Sequence, residues 1–111
     1  MTAIARKLDI ITEKGGMRFI DVANLLGTRP ETVSRWNQGK AFPHPGTEKL
    51  LLELEWIIEQ LADLYEPQEA RLWLFSRQKL LNGAVPADLI ASGHSEDVLA
   101  MISKLREGVY L

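Results

Sequence analysis

The nineteen residues TEKLLLELEWIIEQLADLY, positions 47 to 65, constrain the fold more than any other stretch of the chain. Leu50, Leu54, Ile57, Leu61 and Leu64 recur at the spacing of one helical face, so an amphipathic helix is expected there. Leu51, Ile58 and Tyr65 widen the stripe, and Leu52 with Trp56, one turn apart, carries it further round the cylinder. That is more apolar surface than one flank of a small core can cover. Such a helix must be central and covered from several sides, or it must give part of its surface to a second chain; a mixture of the two is expected.

With 111 residues, the chain can bury one sizeable core but hardly two, so one unit or two small lobes sharing a core is expected. The segments flanking the long run read as shorter helices. Thr2 can cap a first helix with Ile4, Leu8 and Ile11 on one face, and Gly15-Gly16 stops it. A second helix is expected from about Arg18 to Leu26, with Phe19, Val22, Ala23 and Leu26 inward, ended by Gly27. Thr28 or Arg29 can cap a third, in which Pro30 costs no backbone bond, running to Gly39; the prolines of AFPHPG then prevent its continuation.

Beyond the long run, Pro67 suits the start of a helix through Leu74, Ser76 the cap of another toward Leu81, and Asn82-Gly83 its close. Pro86 opens a turn or two before Gly93. Ser95, Glu96 and Asp97 begin a last helix with Val98, Met101, Ile102 and Leu105 inward and Gly108 as its stop. No segment reads as a convincing strand, so the expected class is all-α.

Charge divides the chain. Residues 1–50 hold eight basic and five acidic side chains, whereas residues 51–111 hold five and ten. A positive front suits phosphates, and an acidic rear would be repelled by them and is free to meet another partner. There is no cysteine, which excludes disulfides and thiolate metal sites, and His44 and His94 lie far apart without supporting ligands. The first residues carry charges throughout and have no apolar signal core, so a cytoplasmic protein is expected. Trp73 and Phe75 read as core or interface residues. The acidic pairs Glu53-Glu55 and Glu96-Asp97 read as solvated faces or helix-start charges, and no nucleophilic triad or phosphate-cradling loop appears. No enzyme activity and no cofactor are expected.

The most specific motif is FIDVANLLGTRPETVSRWNQGK, residues 19–40. A helix-turn-helix needs a small residue where its helices cross, a turn residue tolerant of positive φ, and an apolar anchor on the inner face of the second helix. Ala23, Gly27 and Val33 meet these needs in order, and Trp36 adds a second anchor. Arg29, Glu31, Thr32, Ser34 and Arg35 are left largely outward.

With the trailing Trp36, Gly39, Lys40 and Pro43, this segment resembles the Xre or Cro-like repressors, whose second motif helix enters the major groove. The resemblance implies DNA contacts by Thr28, Arg29, Glu31, Thr32, Ser34, Arg35, Gln38 and Lys40. Arg29, Glu31 and Arg35 would approach base edges, Arg35 donating twice to guanine and Glu31 accepting from cytosine, while Thr32, Ser34, Gln38 and Lys40 would set the register on phosphates. Pro30 stands where many relatives place a base-reading side chain.

Residues 70–111 resemble the toxin-binding domain of the Xre/MbcA/ParS antitoxins, through Trp73, Leu81, Gly83, Pro86, Leu89 and Glu107-Gly108. The implied architecture is a Cro/Xre-like DNA-binding lobe (1–46), a central linking or dimerising helix (47–65) and a helical toxin-binding lobe with a C-terminal tail (66–111). The implied function is that of an antitoxin, docked on a RES-domain toxin that consumes NAD and autoregulating through operator DNA. Trp73, Gly108, Val109, Tyr110 and Leu111 would make the toxin contacts. The composition of the tail suits a plug: Gly108 releases the chain, and Val109, Tyr110 and Leu111 offer an aromatic ring with a hydroxyl, two aliphatic groups and a carboxylate. A homodimer or a larger assembly with the toxin is expected. Two other readings stay open: a dimeric repressor that uses residues 66–111 for self-association, and a binding module whose helix-turn-helix does not read DNA.

Overall fold

The computed structural model describes residues 1–108. Seven α-helices occur among them: α1 (Ala3–Gly15), α2 (Phe19–Leu26), α3 (Pro30–Asn37), α4 (Pro45–Ala62), α5 (Pro67–Leu74), α6 (Pro86–Ala91) and α7 (Ser95–Glu107), with a 3₁₀ turn at Lys79–Leu81. A single isolated bridge pairs Gln78 with Ala84, and no longer strand forms among the described residues. The all-α expectation holds.

Local chemistry accounts for most boundaries. The Thr2 hydroxyl accepts from the Ala5 N–H at 3.0 Å, capping α1. Pro30, Pro45, Pro67 and Pro86 each stand at the first helical position, where no N–H is required. Arg29 rather than Thr28 is the N-cap of α3, and that helix closes at Asn37, two residues before Gly39.

The long helix differs from its sequence reading at both ends and in phase. It starts at Pro45, because a proline in its first turn extends a helix backward without breaking a bond, and it ends at Ala62 because Glu66, before Pro67, is held extended. Its buried face is Leu51, Leu54, Ile57, Ile58 and Leu61. Leu50 is only half-buried, and Leu64, beyond the helix end, is exposed. With apolar residues almost all the way round, periodicity alone cannot select the inner face; the neighbours do. In α2, Leu25 is buried, and Phe19 and Leu26 are half-buried at the edge.

α4 is the central element, covered by α1, α2, α5, α6 and α7. One apolar cluster runs from Ile4, Leu8 and Ile11 through Val22, Val33 and Trp36 to Trp73, Ile90 and Ile102, so both halves share one core. The Gly15-Gly16 pair does more than stop α1. A Cβ on Gly15 would lie 2.7 Å from the Ile58 side chain, and one on Gly16 would lie 2.6 Å from the Pro67 carbonyl oxygen. The pair therefore lets α4 and the start of α5 approach α1.

The helix expected from Ser76 does not form. Its hydroxyl donates back to the Leu72 carbonyl at 2.5 Å instead of capping forward, and the chain makes only the short 3₁₀ turn, closed by Asn82 in the left-handed region. In α7, Ser95 is the first helical residue and is buried, its hydroxyl donating to Glu53 of α4 at 3.0 Å.

Candidate nucleic-acid and partner interfaces

α2 and α3 pack on one another across a short turn. Ala23 is fully buried at their crossing, Gly27 takes φ +71° in the turn, and Val33 and Trp36 anchor α3 from beneath. The Thr28 N–H donates to the Ala23 carbonyl at 2.9 Å, beside the Gly27 N–H that donates to the same oxygen, and so closes the end of α2. This frame is built by residues that the sequence motif names.

On the outer side of the unit, Arg29, Glu31, Arg35, Gln38 and Lys40 are exposed, and Thr28, Thr32 and Ser34 are half-buried. Gln38 donates to the Ser34 hydroxyl at 3.1 Å, so these two side chains hold each other across one turn. The guanidinium of Arg35 and the ammonium of Lys40 are thus placed on a rigid helix and its exit loop, the arrangement by which a positive surface can meet phosphates or base edges. Phe42, not singled out in the sequence, is 69% exposed just beyond α3. Together with Leu26, Thr32, Trp36 and Pro43 it borders a shallow concavity.

Sequence reasoning also missed a polar centre behind this unit. Asp21 is only 6% exposed, and its carboxylate accepts from the backbone N–H and guanidinium of Arg18. It also accepts both Nε (3.1 Å) and Nη2 (3.0 Å) of Arg71 on α5. Burial pushes the Asp21 carboxyl up, but the hydrogen bonds from Arg71 and then Arg18 outweigh it and hold the group well below the usual carboxylate range. In turn, Asp21 raises the Arg71 pKa. Arg71 also lies 5.5 Å from the centre of the Phe75 ring. The Arg18–Asp21 spacing signals a helix start, but Arg71 is fifty positions further on and leaves no local trace.

In the rear half, Trp73 is buried to 8% exposure between α5 and the core, so little of it is offered to a partner. Its neighbour Leu72 is 65% exposed, and Leu80 in the 3₁₀ turn is 47% exposed. α7 ends where Gly108 takes φ +64°, its N–H donating to the Leu105 carbonyl. Val109, Tyr110 and Leu111 lie outside the described residues. Among the described residues, no cluster of histidine and acidic side chains could hold a metal ion, and no helix is long and apolar enough to cross a membrane.

No protein-family model matches the chain. The mycobacterial cidal antitoxin MbcA of Mycobacterium bovis, and likewise that of Mycobacterium tuberculosis, is 32% identical over 99 residues, covering 89% of this chain and 88% of theirs. A probable mycobacterial cidal antitoxin of M. tuberculosis is 28% identical over 96 residues, covering 86% and 82%. Among solved structures, a chain of the M. tuberculosis MbcT–MbcA toxin–antitoxin complex superposes with a TM-score of 0.89 at 30% identity, covering all of both chains. The resemblance seen in residues 70–111 thus extends over nearly the whole sequence. The chain belongs to the MbcA family of antitoxins, and its role is that of a non-enzymatic inhibitor or regulator.

Proposed function

We propose that this chain neutralises a RES-domain, NAD-consuming toxin by placing its C-terminal residues at the toxin's active site, and that it binds operator DNA through α3 to repress its own operon. The observation that carries the reading is the full-length likeness to the toxin–antitoxin complex. It is a likeness of both halves together, so the helix-turn-helix and the rear helices form one functional unit.

The tail assignment is supported by chemistry. α7 is anchored by Val98, Met101 and Ile102, and it is closed by Gly108 in the left-handed region. The sequence that follows, Val109-Tyr110-Leu111, combines apolar bulk with one hydroxyl, a composition suited to an enzyme pocket. The DNA assignment is supported by the exposed Arg29, Arg35 and Lys40 on a frame fixed by Val33 and Trp36. The acidic residues 51–111 are free to serve a protein partner.

The test is to co-express the chain with the product of the adjacent reading frame, purify any complex, and follow NAD with and without the chain. Co-purification with preserved NAD supports the reading. Unchanged NAD loss in the presence of an equimolar amount of folded chain contradicts it.

A further inference from the structure

Apart from Met1, Phe42 is the most exposed large apolar side chain among the described residues, at 69%. Its neighbours are firmly seated. Ala41 is half-buried and Pro43 is buried, so the backbone on either side is fixed while the ring stands in water. The turn before it is held by the N–H groups of Gln38, Gly39 and Lys40, which donate to the carbonyls of Ser34, Trp36 and Arg35 at 2.9 to 3.1 Å. α4 begins three residues later, at Pro45. The ring is thus presented on a well-bonded loop, with apolar surface that the fold itself leaves uncovered.

What surrounds the ring specifies what covers it. Phe42 shares one concavity with Thr28 and Thr32 at the start of α3 and with His44 and Thr47 at the start of α4. Among the described residues, no other group of the chain engages the hydroxyls of Thr28, Thr32 and Thr47. The exposed charges of the same stretch are chiefly positive: Arg29, Arg35, Lys40 and Lys49 stand against Glu31 and Glu48. An apolar ring set among cations and hydroxyls fits a ligand that alternates apolar and anionic groups over short intervals. The sugar–phosphate strand of a DNA duplex does this, each deoxyribose offering a C–H face between two phosphates. Lys40 and Phe42 are two positions apart, at most about 7 Å along the chain, so one can meet a phosphate while the other meets the adjoining sugar.

We propose that Phe42 is an uncharged anchor for duplex DNA. Its ring lies on a deoxyribose of the strand whose phosphate Lys40 holds, and the Thr28 and Thr47 hydroxyls donate to the phosphate on the far side of that sugar. The inference rests on the DNA-binding role proposed for α3 and adds a contact of a different kind. Arg35 is assigned to a base edge and Lys40 to a phosphate charge, whereas the ring reads no base and neutralises no charge. Its stabilisation comes from removing apolar surface from water, so it is shared by all sequences and leaves the salt dependence as it was.

The test titrates the full chain, Phe42→Ala and Phe42→Trp with two duplexes of equal length, one from upstream of the chain's own reading frame and one scrambled, at several salt concentrations. Phe42→Ala is expected to bind both duplexes about tenfold more weakly, with the slope of affinity against salt unchanged. Phe42→Trp, which keeps a flat apolar ring, is expected to stay within about threefold of the unmodified chain. Urea unfolding of Phe42→Ala is expected to match that of the unmodified chain, because the ring is mostly in water. Three results overturn the proposal: equal affinity of Phe42→Ala and the unmodified chain, a loss confined to the upstream duplex, or a flattened salt slope. A Phe42→Ala chain that binds DNA normally but no longer retains the toxin assigns the ring to the toxin and overturns it equally. If the unmodified chain binds neither duplex, the DNA-binding role of α3 fails and this contact with it; if it binds both and Phe42→Ala does too, only the contact fails.

Discussion

The carboxylate of Asp21 on α2 is gripped by two nitrogens of Arg71 on α5, at 3.0 and 3.1 Å, with almost no access to water. This pair ties α2 to α5, the helix that opens the rear half. The pairing is bidentate and Asp21 is also bonded by Arg18, so its buried charge is compensated from two directions. Removing Arg71 leaves Asp21 with its Arg18 bonds alone, and removing Asp21 leaves Arg71 partly in water.

Asp21→Asn or Arg71→Met is therefore expected to lower stability by about 1 to 2 kcal/mol, less than for a fully buried pair because Arg71 is partly in water, and the double variant by clearly less than the sum of the two. Urea unfolding of the three variants checks this. Additive losses would mean that the two residues do not act as a pair.

The same pair makes stability pH-dependent in a defined direction. The carboxyl titrates lower in the folded chain than its ordinary 3.8, so its contribution is complete above that value and is lost as pH falls below it. The stability gap between the unmodified chain and Asp21→Asn is expected to be constant between pH 5 and 7, and to shrink progressively below about pH 4. Thermal unfolding over that range measures it; a gap that widens on acidification reverses the sign and refutes the linkage.

Gly16 and Gly27 both have positive φ, yet alanine is expected to act differently at the two. At Gly27 no atom lies within 4 Å of the added Cβ, so only the left-handed backbone is penalised, by about 1 to 2 kcal/mol. At Gly16 the Cβ also meets the Pro67 carbonyl at 2.6 Å, and α1 or the start of α5 must shift. The Gly16 variant is expected to be the less stable by at least about 1 kcal/mol on the same unfolding scale.

On DNA, Arg35→Ala is expected to cost roughly 1 to 3 kcal/mol at the specific site and much less on random sequence, because its exposed guanidinium is assigned to a base edge. Lys40→Ala should weaken all sequences alike and flatten the salt dependence. Trp36→Ala, which empties a site only 4% exposed, is expected to cost about 3 to 5 kcal/mol of folding stability instead. Binding isotherms at two salt concentrations, beside unfolding curves, separate the three.

What was legible in the sequence is what local chemistry decides. Thr2, Pro30, Pro67 and Pro86 mark helix starts and Gly16, Gly27 and Gly108 mark stops because each acts on backbone groups within a turn of itself. Ala23, Val33 and Trp36 mark the buried side of α2 and α3 for the same reason. Ser76 misled because a serine hydroxyl can bond backward as readily as it can cap, and here it reaches Leu72. The inner face of α4 was out of reach of pattern, since Leu50 and Leu51 are equally apolar and only α1 and the rear helices distinguish them. The Asp21–Arg71 pair was out of reach because it depends on how α2 and α5 meet.

A division of labour between the two ends of one chain is the central claim, and one crossed measurement tests it most directly. NAD remaining in the presence of the toxin, and operator binding, are measured for the full chain, for the chain ending at Gly108, and for Arg35→Ala. The account expects the shortened chain to bind operator but fail to preserve NAD, and Arg35→Ala to preserve NAD but lose specific operator binding. A shortened chain that preserves NAD as well as the full one would contradict it.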